Sequence, residues 1–165
     1  MKKIVAVDEN DNEIGLRDRN EDGDFICRVS ALWLTNSKGE VLMARRALTK
    51  KWGAGKWATA AAGTVEEGET YDSNIVKEIY EELGVTLGLE NLTRGSKLFV
   101  RGSHDYFLQW YFATLDKTIN EFTVPPEEVA AIRWIAPKEL HREFATHPEH
   151  FTKGALQCLP VSLTE

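Results

Sequence analysis

Cysteine is scarce in this sequence, and its scarcity excludes two classes of protein. Only Cys27 and Cys158 occur among the 165 residues, with no CxxC pair and no Cys/His cluster at zinc-ligand spacing. A disulfide-held secreted domain or a structural zinc module needs more cysteines than this. We therefore expect both thiols to be reduced and buried.

His141, His147 and His150 lie in a polar C-terminal segment, and the sequence assigns them no chemical role.

Long apolar runs are also missing. The chain begins with Lys2, Lys3 and the apolar run Ile4–Val7, but Asp8 ends that run after four residues. A signal peptide needs a longer apolar core, and a membrane-spanning helix needs about 18 consecutive apolar residues, which this sequence does not contain. We expect a cytoplasmic protein with no membrane partner.

An excess of positive charge is the third absence. The sequence has 20 lysines and arginines against 26 aspartates and glutamates, which gives a formal net charge of −6. A non-specific nucleic-acid binder needs a basic surface that displaces counterions from phosphates, so we expect no nucleic-acid polymer as a partner. An acidic protein still binds small phosphates where local cations or a metal ion reverse the field.

The residues that are present are typical of one globular domain over residues 1–165. Hydrophobic residues make up 42% of the chain, which is enough for a core and too many for a disordered protein.

Apolar residues recur on one side from Tyr71 to Leu83 and predict a helix that Gly84 ends. More helix is predicted from Pro137 and over residues 148–159. Strands are predicted over residues 4–7, 14–16, 25–35, 41–46, 57–62, 97–100, 106–115 and 129–135. Strands on both sides of a long helix predict an α/β sandwich with a mixed sheet.

Three carboxylates share one side of the predicted helix. At about 100° per residue, Glu78, Glu81 and Glu82 fall within about 100° of one another, opposite the apolar stripe. Asn74 lies on the same side. A solvated helix face is the ordinary explanation for such a run. However, acids near a helix C-terminus repel one another and oppose the macrodipole, and a hard divalent cation would offset this cost.

The order of residues around these carboxylates resembles a known family motif. Gly63, five residues, Glu69 and seven residues precede residues 77–85, which read Lys-Glu-Ile-Tyr-Glu-Glu-Leu-Gly-Val. This 23-residue segment resembles the Nudix box and meets eight of its nine fixed positions. Lys77 stands where the family has arginine. The strands on either side are also similar to those of the family, so the resemblance spans most of the chain.

The resemblance implies a Nudix-like α/β/α sandwich that acts as a Mg²⁺-dependent diphosphate hydrolase, with Mn²⁺ as a substitute. Glu78, Glu81 and Glu82, together with the Gly63 carbonyl, are expected to hold one metal ion or more. One of these carboxylates, or another acid nearby, is expected to take the proton from the attacking water. Family members differ in which residue does so, and the choice stays open here.

The resemblance also implies a supporting ion pair between Glu69 and Lys77 beside the metal site. Arginine binds a carboxylate through two parallel N–H donors, whereas lysine is a point charge on a flexible stem. We therefore expect the loop before the helix to be held less rigidly than in a family member with arginine.

Several groups outside the motif are candidates for contacts with substrate or metal. Arg45, Arg46 and Lys56 are expected to bind the substrate's phosphates, although surface cations kept for solubility are an equal alternative. Trp52, in a glycine-containing loop, is expected to be exposed and to stack on the substrate. A fourth metal carboxylate is expected from the loop before the last strand, with Glu128 preferred there.

Three functional hypotheses remain from the sequence. The chain is similar to the isopentenyl-diphosphate-isomerase-like branch at residues 7–11, 41–46 and 50–57. We expect a hydrolase acting on a small nucleoside-diphosphate-X type substrate. Isomerase activity is second, because the isomerase protonates its substrate with a cysteine and a glutamate and residues 57–62 contain no cysteine. A catalytically weak ligand-binding module is third. The family is often dimeric, so a homodimer stays open.

Overall fold

The computed structural model describes the backbone of residues 2–162 and the side chains of residues 2–157. Nine strands and three α-helices lie within this part of the chain. The strands are β1 (Ile4–Val7), β2 (Glu13–Arg17), β3 (Ile26–Thr35), β4 (Val41–Arg46), β5 (Trp57–Thr59), β6 (Ala61–Thr64), β7 (Thr93–Val100), β8 (Tyr106–Thr114) and β9 (Val129–Ile135). The helices are α1 (Tyr71–Leu83), α2 (Pro137–Thr146) and α3 (Lys153–Ser162), and short 3-10 turns cover Leu89–Asn91, Ile119–Glu121 and Pro148–His150.

Strand β3 is the centre of the sheet because both of its edges are paired. Strand β8 runs parallel to β3 along one edge, from Cys27 opposite Tyr106 to Thr35 opposite Thr114. Along the other edge β3 pairs antiparallel with β1, then β6, then β4. The sheet continues from β1 to β2, from β8 to β7, and from β4 to both β5 and β9. The parallel pair within an otherwise antiparallel sheet confirms the predicted mixed sheet.

Alternating side chains of β3 separate the core into two layers. Leu32 packs on the face of the sheet that α1 covers, where it meets Ile75 of that helix. Trp33 belongs to the opposite layer, to which α2 contributes Leu140 and α3 contributes Ala155. Helices therefore cover both faces of the sheet, and the predicted α/β/α sandwich is confirmed.

Local sequence determines both ends of α1. The Thr70 hydroxyl accepts a hydrogen bond from the backbone N–H of Ser73, and the Ser73 hydroxyl accepts one from that of Thr70, which forms a capping box. The helix ends at Gly84, which has a left-handed φ of 68°. A side chain at that position would also be 2.8 Å from the backbone oxygen of Thr123. These ends agree with the predicted limits of the helix.

Two predicted elements are divided in the structure, and β7 begins at Thr93, four residues before the predicted start of that strand. The strand predicted over residues 57–62 is interrupted at Ala60, because the chain leaves β4 as a neighbour and pairs with β3 instead. The helix predicted over residues 148–159 is a 3-10 turn followed by α3. Phe151 lies between them, is 2% exposed, and forms a β-bridge with Trp57 that a continuous helix would not allow.

The expectation of reduced, buried thiols is met in part at Cys27. Cys27 is a free, partly buried thiol in β3, and burial raises its pKa to about 11. The side chain of Cys158 lies outside the described residues. Among residues 2–162, no helix is both long enough and apolar enough to span a membrane.

Candidate active site

The connection from β6 to α1 places Glu78 directly against Gly63. Strand β6 holds Gly63 opposite Ser30 of β3. A Cβ atom added at Gly63 would lie 2.2 Å from the carboxyl carbon of Glu78, so a larger residue would displace the carboxylate. Glycine is needed here for close approach of the two elements, and this is a physical reason for its fixed place in the motif.

Glu82 lies one helical turn beyond Glu78 and faces the same strand. One of its carboxylate oxygens accepts a long hydrogen bond of 3.4 Å from the backbone N–H of Ala62. The side chain of Glu78 is only 13% exposed, whereas Glu81 is exposed to solvent. The sequence placed all three carboxylates opposite the apolar stripe. The structure corrects this, because β6 packs beside the stripe and encloses Glu78 and Glu82.

Burial of the two enclosed carboxyl groups disfavours their charged forms. Burial is the main reason that the pKa of Glu78 rises to about 7, with the positive charge of Lys77 opposing the rise and the negative charge of Glu81 adding to it. Burial also raises the pKa of Glu82 well above its ordinary value, and the charge of Glu78 raises it further. The charge of Glu78 thus makes Glu82 harder to ionise, and a cation beside the two groups would offset this effect and the cost of burial.

Lys77 forms the predicted ion pair with Glu69 and two more contacts besides. Its Nζ lies 2.6 Å from Oε1 of Glu69, 3.1 Å from Oε2 of Glu66 and 3.6 Å from Oε1 of Glu78. Burial by itself would lower the pKa of Lys77, but its hydrogen bonds to Glu69 and Glu66 raise it overall. The contact with Glu66 was not predicted, because the motif has no fixed residue at that position. A lysine with three N–H donors can serve all three carboxylates.

Asn74 connects the helix to the strands behind the ion pair. The sequence placed it on the carboxylate side of the helix, but it is 0% exposed. Its amide nitrogen donates to Oε2 of Glu69 at 2.9 Å and to the Thr64 carbonyl at 3.1 Å. Its amide oxygen accepts from the Ser30 hydroxyl. Asn74 therefore holds Glu69 from the side opposite to Lys77, a role that its spacing alone did not indicate.

The loop before β9 brings Glu128 to the same region. The charge of Glu128 is close enough to Glu82 to raise the pKa of Glu82. The Glu128 carboxylate accepts a hydrogen bond from Lys50, and its backbone oxygen accepts one of 3.0 Å from the N–H of Ala47. These contacts anchor Glu128, whereas Glu127 is exposed. The structure thus places the preferred acid of this loop beside the buried pair, with Lys50 as a partner that was not predicted.

The arginines expected at the substrate's phosphates also hold the loop that follows β4. Arg46 donates from Nε to the Trp52 carbonyl at 2.7 Å, and Arg45 does the same to the Gly55 carbonyl at 3.1 Å. The charge of Arg46 lowers the pKa of Glu82, so this guanidinium lies near the Glu82 carboxylate. Lys56 has an exposed side chain, and its carbonyl accepts from the N–H of Arg46.

Trp52 is the exposed aromatic residue that the sequence predicted. Its side chain is 50% exposed, and its ring lies edge-on to that of His104 with the centroids 4.8 Å apart. His104 belongs to the loop between β7 and β8, so the contact joins two loops that are distant in sequence. Trp110 and Tyr111 lie in the core. Trp57 is partly buried under the guanidinium of Arg133.

The geometry around Gly63, Glu78 and Glu82 agrees with a comparison against protein families. The model of the NUDIX domain matches residues 26–154 of this chain. The chain belongs to the Nudix family. Nudix hydrolases act on small diphosphate substrates and generally use divalent metal ions.

Individual Nudix relatives cover nearly the whole chain. A prenyl-diphosphate phosphatase of Methanosarcina mazei is 28% identical over 151 residues, which are 90% of this chain and 88% of that protein. An isopentenyl-diphosphate Delta-isomerase of Photobacterium profundum is 28% identical over 173 residues, which are 99% of this chain and 96% of that protein. The second relative belongs to the branch that the sequence resembled.

Solved structures show the same fold. A crystal structure of a Deinococcus radiodurans protein superposes with a TM-score of 0.81 at 22% sequence identity. The match covers 97% of this chain and 98% of that one. At this level of identity the likeness confirms the Nudix fold and leaves the substrate open.

Proposed function

We propose that this Nudix protein is a Mg²⁺-dependent hydrolase that cleaves a diphosphate linkage in a small nucleoside-diphosphate-X type substrate. The observation that carries the proposal is the enclosed pair of Glu78 and Glu82 beneath Gly63. Burial is the main cause of the raised pKa of both carboxyl groups, and the charge of Glu78 raises that of Glu82 further, so their charged forms are costly unless they have a cation to bind. The charge of Arg46 offsets only part of the rise in the pKa of Glu82.

The residues at this site fit a hard divalent cation. The carboxylates of Glu78, Glu81 and Glu82 on α1 and of Glu128 in the loop before β9 are the ligands we assign to this site, together with the backbone carbonyl of Gly63. Mg²⁺ and Mn²⁺ prefer such oxygen donors, and Mg²⁺ keeps several waters that a diphosphate can replace. We infer that the enclosed pair supplies the innermost ligands and that the two more exposed acids complete the site.

The protein's own groups divide the remaining work between them. When bound, the metal ion polarises the diphosphate and neutralises the charge that develops during attack by water. Lys77 and Asn74 hold Glu69, and thereby the loop that leads from Gly63 into α1. Arg46, next to the enclosed pair, and the exposed Lys56 are the cations we assign to the substrate's phosphates. One of the carboxylates takes the proton from water, and enclosure of the pair keeps bulk water from competing.

A prenyl diphosphate is the second substrate class that an observation favours. The Methanosarcina mazei relative is named a prenyl-diphosphate phosphatase. The loop between β4 and β5 presents two apolar side chains to solvent, with Leu48 73% exposed and Trp52 50% exposed. Such side chains can cover a hydrocarbon chain as well as they can stack on a base. Isomerase activity fits less well, because β5 and β6 carry no thiol and Cys27, in β3, has a pKa raised by burial.

A turnover screen tests the proposal and separates the substrate classes. The protein is incubated with nucleoside-diphosphate derivatives and prenyl diphosphates in Mg²⁺, in Mn²⁺ and in EDTA, with phosphate release and product mass measured. We expect metal-dependent cleavage that falls about a hundredfold or more in kcat in Glu82→Gln. Glu90→Gln, an exposed acid on the Leu89–Asn91 turn, is the matched control and should behave as the parent.

Two results of this screen would contradict the proposal. One is the absence of metal-dependent cleavage for every diphosphate tested. The other is equal turnover by the parent and Glu82→Gln. Isopentenyl diphosphate in D₂O belongs to the same panel, and deuterium in the recovered substrate or its isomer would establish isomerase activity instead.

A further inference from the structure

Three side chains of types that commonly bind metal ions, His147, Glu149 and His150, lie close together between α2 and α3, outside the Nudix box. We call this cluster the joint site. Nδ1 of His147 lies 3.2 Å from Oε1 of Glu149, and Nε2 of His150 lies 3.7 Å from the same oxygen. One ligand atom from each of the three residues can be chosen so that all lie within 4.8 Å of one another. The 3.2 and 3.7 Å separations are close to the distance of about 3.4 Å between two ligands that each lie about 2.0–2.2 Å from a tetrahedral ion.

The backbone that carries these side chains is tied to the core. The N–H of His147 donates to the Glu143 carbonyl at 2.8 Å and ends α2. Pro148 opens the 3-10 turn, and the N–H of His150 donates to the His147 carbonyl at 3.0 Å. The next residue, Phe151, is 2% exposed and packs on Phe144 with the ring centroids 4.4 Å apart. The spacing of the two histidines is therefore set by a turn that the core holds in place.

We propose that His147, Glu149 and His150 form a second cation site, selective for a late first-row transition metal such as Zn²⁺. Two imidazoles with one carboxylate suit Zn²⁺, Cu²⁺ or Ni²⁺, whereas Mg²⁺ prefers an all-oxygen shell. All three side chains are exposed, so an ion reaches them without any opening of the fold. They leave at least one coordination position to water. The two imidazole rings are stacked, 11° from parallel with centroids 4.8 Å apart, so one exposed ring must turn about its side-chain bonds to point its lone pair at a shared ion.

This site is chemically distinct from the one proposed for catalysis. The Nudix-box site offers oxygen donors from α1, β6 and the loop before β9, and saturating Mg²⁺ should occupy it. The joint site offers two nitrogen donors, for which Mg²⁺ competes poorly. We therefore expect Zn²⁺ binding that persists in excess Mg²⁺ to come from the histidines, and this expectation does not depend on whether the protein hydrolyses diphosphates.

Calorimetric titration with Zn²⁺ in excess Mg²⁺ tests the site. We expect one ion to bind per chain in the parent protein, with a dissociation constant raised about tenfold or more in His147→Ala and in His150→Ala. His141→Ala removes an exposed histidine of α2 that is outside the cluster and should bind as the parent does. The same three variants should match the parent in thermal unfolding without metal, because all three positions are exposed.

Two outcomes would overturn the proposal. Zn²⁺ binding of equal affinity in the parent and in the double variant His147→Ala/His150→Ala would show that the histidines are not ligands. Loss of the Mg²⁺-resistant Zn²⁺ binding in Glu82→Gln, with both histidines intact, would assign that binding to the Nudix-box carboxylates. Retained binding in Glu82→Gln and lost binding in the histidine variants supports the joint site.

Discussion

Nζ of Lys77 lies 2.6 Å from Oε1 of Glu69, and this contact joins the middle of α1 to the loop that precedes it. Burial alone would raise the pKa of Glu69. Hydrogen bonds from Lys77, from the backbone N–H of Glu66 and from Asn74 instead hold that pKa below its ordinary value. The loop is thus fixed through a charged carboxylate, and the residues that keep it charged also fix its position.

Replacing Lys77 tests whether this contact supports metal binding. Lys77→Met leaves Glu69 without its cation beside Glu78, while Glu66 keeps Arg19 at 2.7 Å, so the half-saturating Mg²⁺ concentration should rise about tenfold. Lys77→Arg should keep the contact, through a bidentate pair, and stay close to the parent. Rate measured against Mg²⁺ concentration for the three proteins provides the comparison. If all three curves coincide, Lys77 is an ordinary surface residue and something else holds the loop.

Replacing Asn74 tests the other support of Glu69. Asn74→Leu has a similar volume but removes the donor to Glu69 and leaves the Thr64 carbonyl and the Ser30 hydroxyl unpaired in the core. We expect a loss of about 2–3 kcal/mol in the free energy of unfolding. We also expect weaker Mg²⁺ activation, with a smaller change in substrate KM. Denaturant unfolding and the Mg²⁺ dependence of the rate measure the two effects.

A merely structural role for Asn74 makes a different prediction. In that case the Mg²⁺ dependence of Asn74→Leu, measured at a temperature where the variant is folded, would equal that of the parent. Asn120→Leu, at an exposed asparagine of the Ile119–Glu121 turn, is the control and should change neither quantity.

Much of what the sequence predicted of this site lies on a single helix and its preceding loop. The ion pair of Lys77 with Glu69 was expected from the resemblance to the Nudix box, and both residues lie in α1 and the loop before it. The acidic side of α1 was predicted from helical periodicity. Helical periodicity does not show which element packs against each face of the helix. The enclosure of Glu78 and Glu82 by β6 was therefore not predicted.

Contacts between distant segments account for the rest. Asn74 meets Ser30 across 44 positions, and Lys50 meets Glu128 across 78. Neither pair leaves a local signal, because each depends on strand register. The strand over residues 57–62 was predicted from composition, but its exchange of partners at Ala60 depends on how β3, β4 and β6 share edges.

The loop before β9 provides a prediction with an internal control. Glu128 affects the pKa of Glu82 and is anchored by Lys50, whereas Glu127 is exposed. Glu128→Ala should therefore lower kcat and weaken Mg²⁺ activation by about tenfold, and Glu127→Ala should do neither. Parallel assays of the two alanine variants decide the matter. Equal activity of both variants and the parent would mean that this loop is only solvated.

The metal-free protein should lose stability as the pH rises from about 4.5 to about 7. Glu78 and Glu82 have pKa values raised by burial, so in this window the folded state retains protons that the unfolded chain has released. Stability falls with pH wherever the folded state binds more protons. Asp11, Glu66 and Glu69 have lowered pKa values, so their contribution changes only at lower pH and does not obscure the effect.

Unfolding of the metal-free protein at several pH values measures this slope. From the shift at Glu78 we expect a loss on the order of 2–3 kcal/mol across the window, and a shallower slope in Glu78→Gln. Glu90→Gln should keep the slope of the parent. Saturating Mg²⁺ should reverse the sign, because the ion binds the deprotonated carboxylates and stabilises the folded state more as pH rises. A slope that is flat without metal, or that Mg²⁺ leaves unchanged, would show that Glu78 and Glu82 are not enclosed as a metal-binding pair.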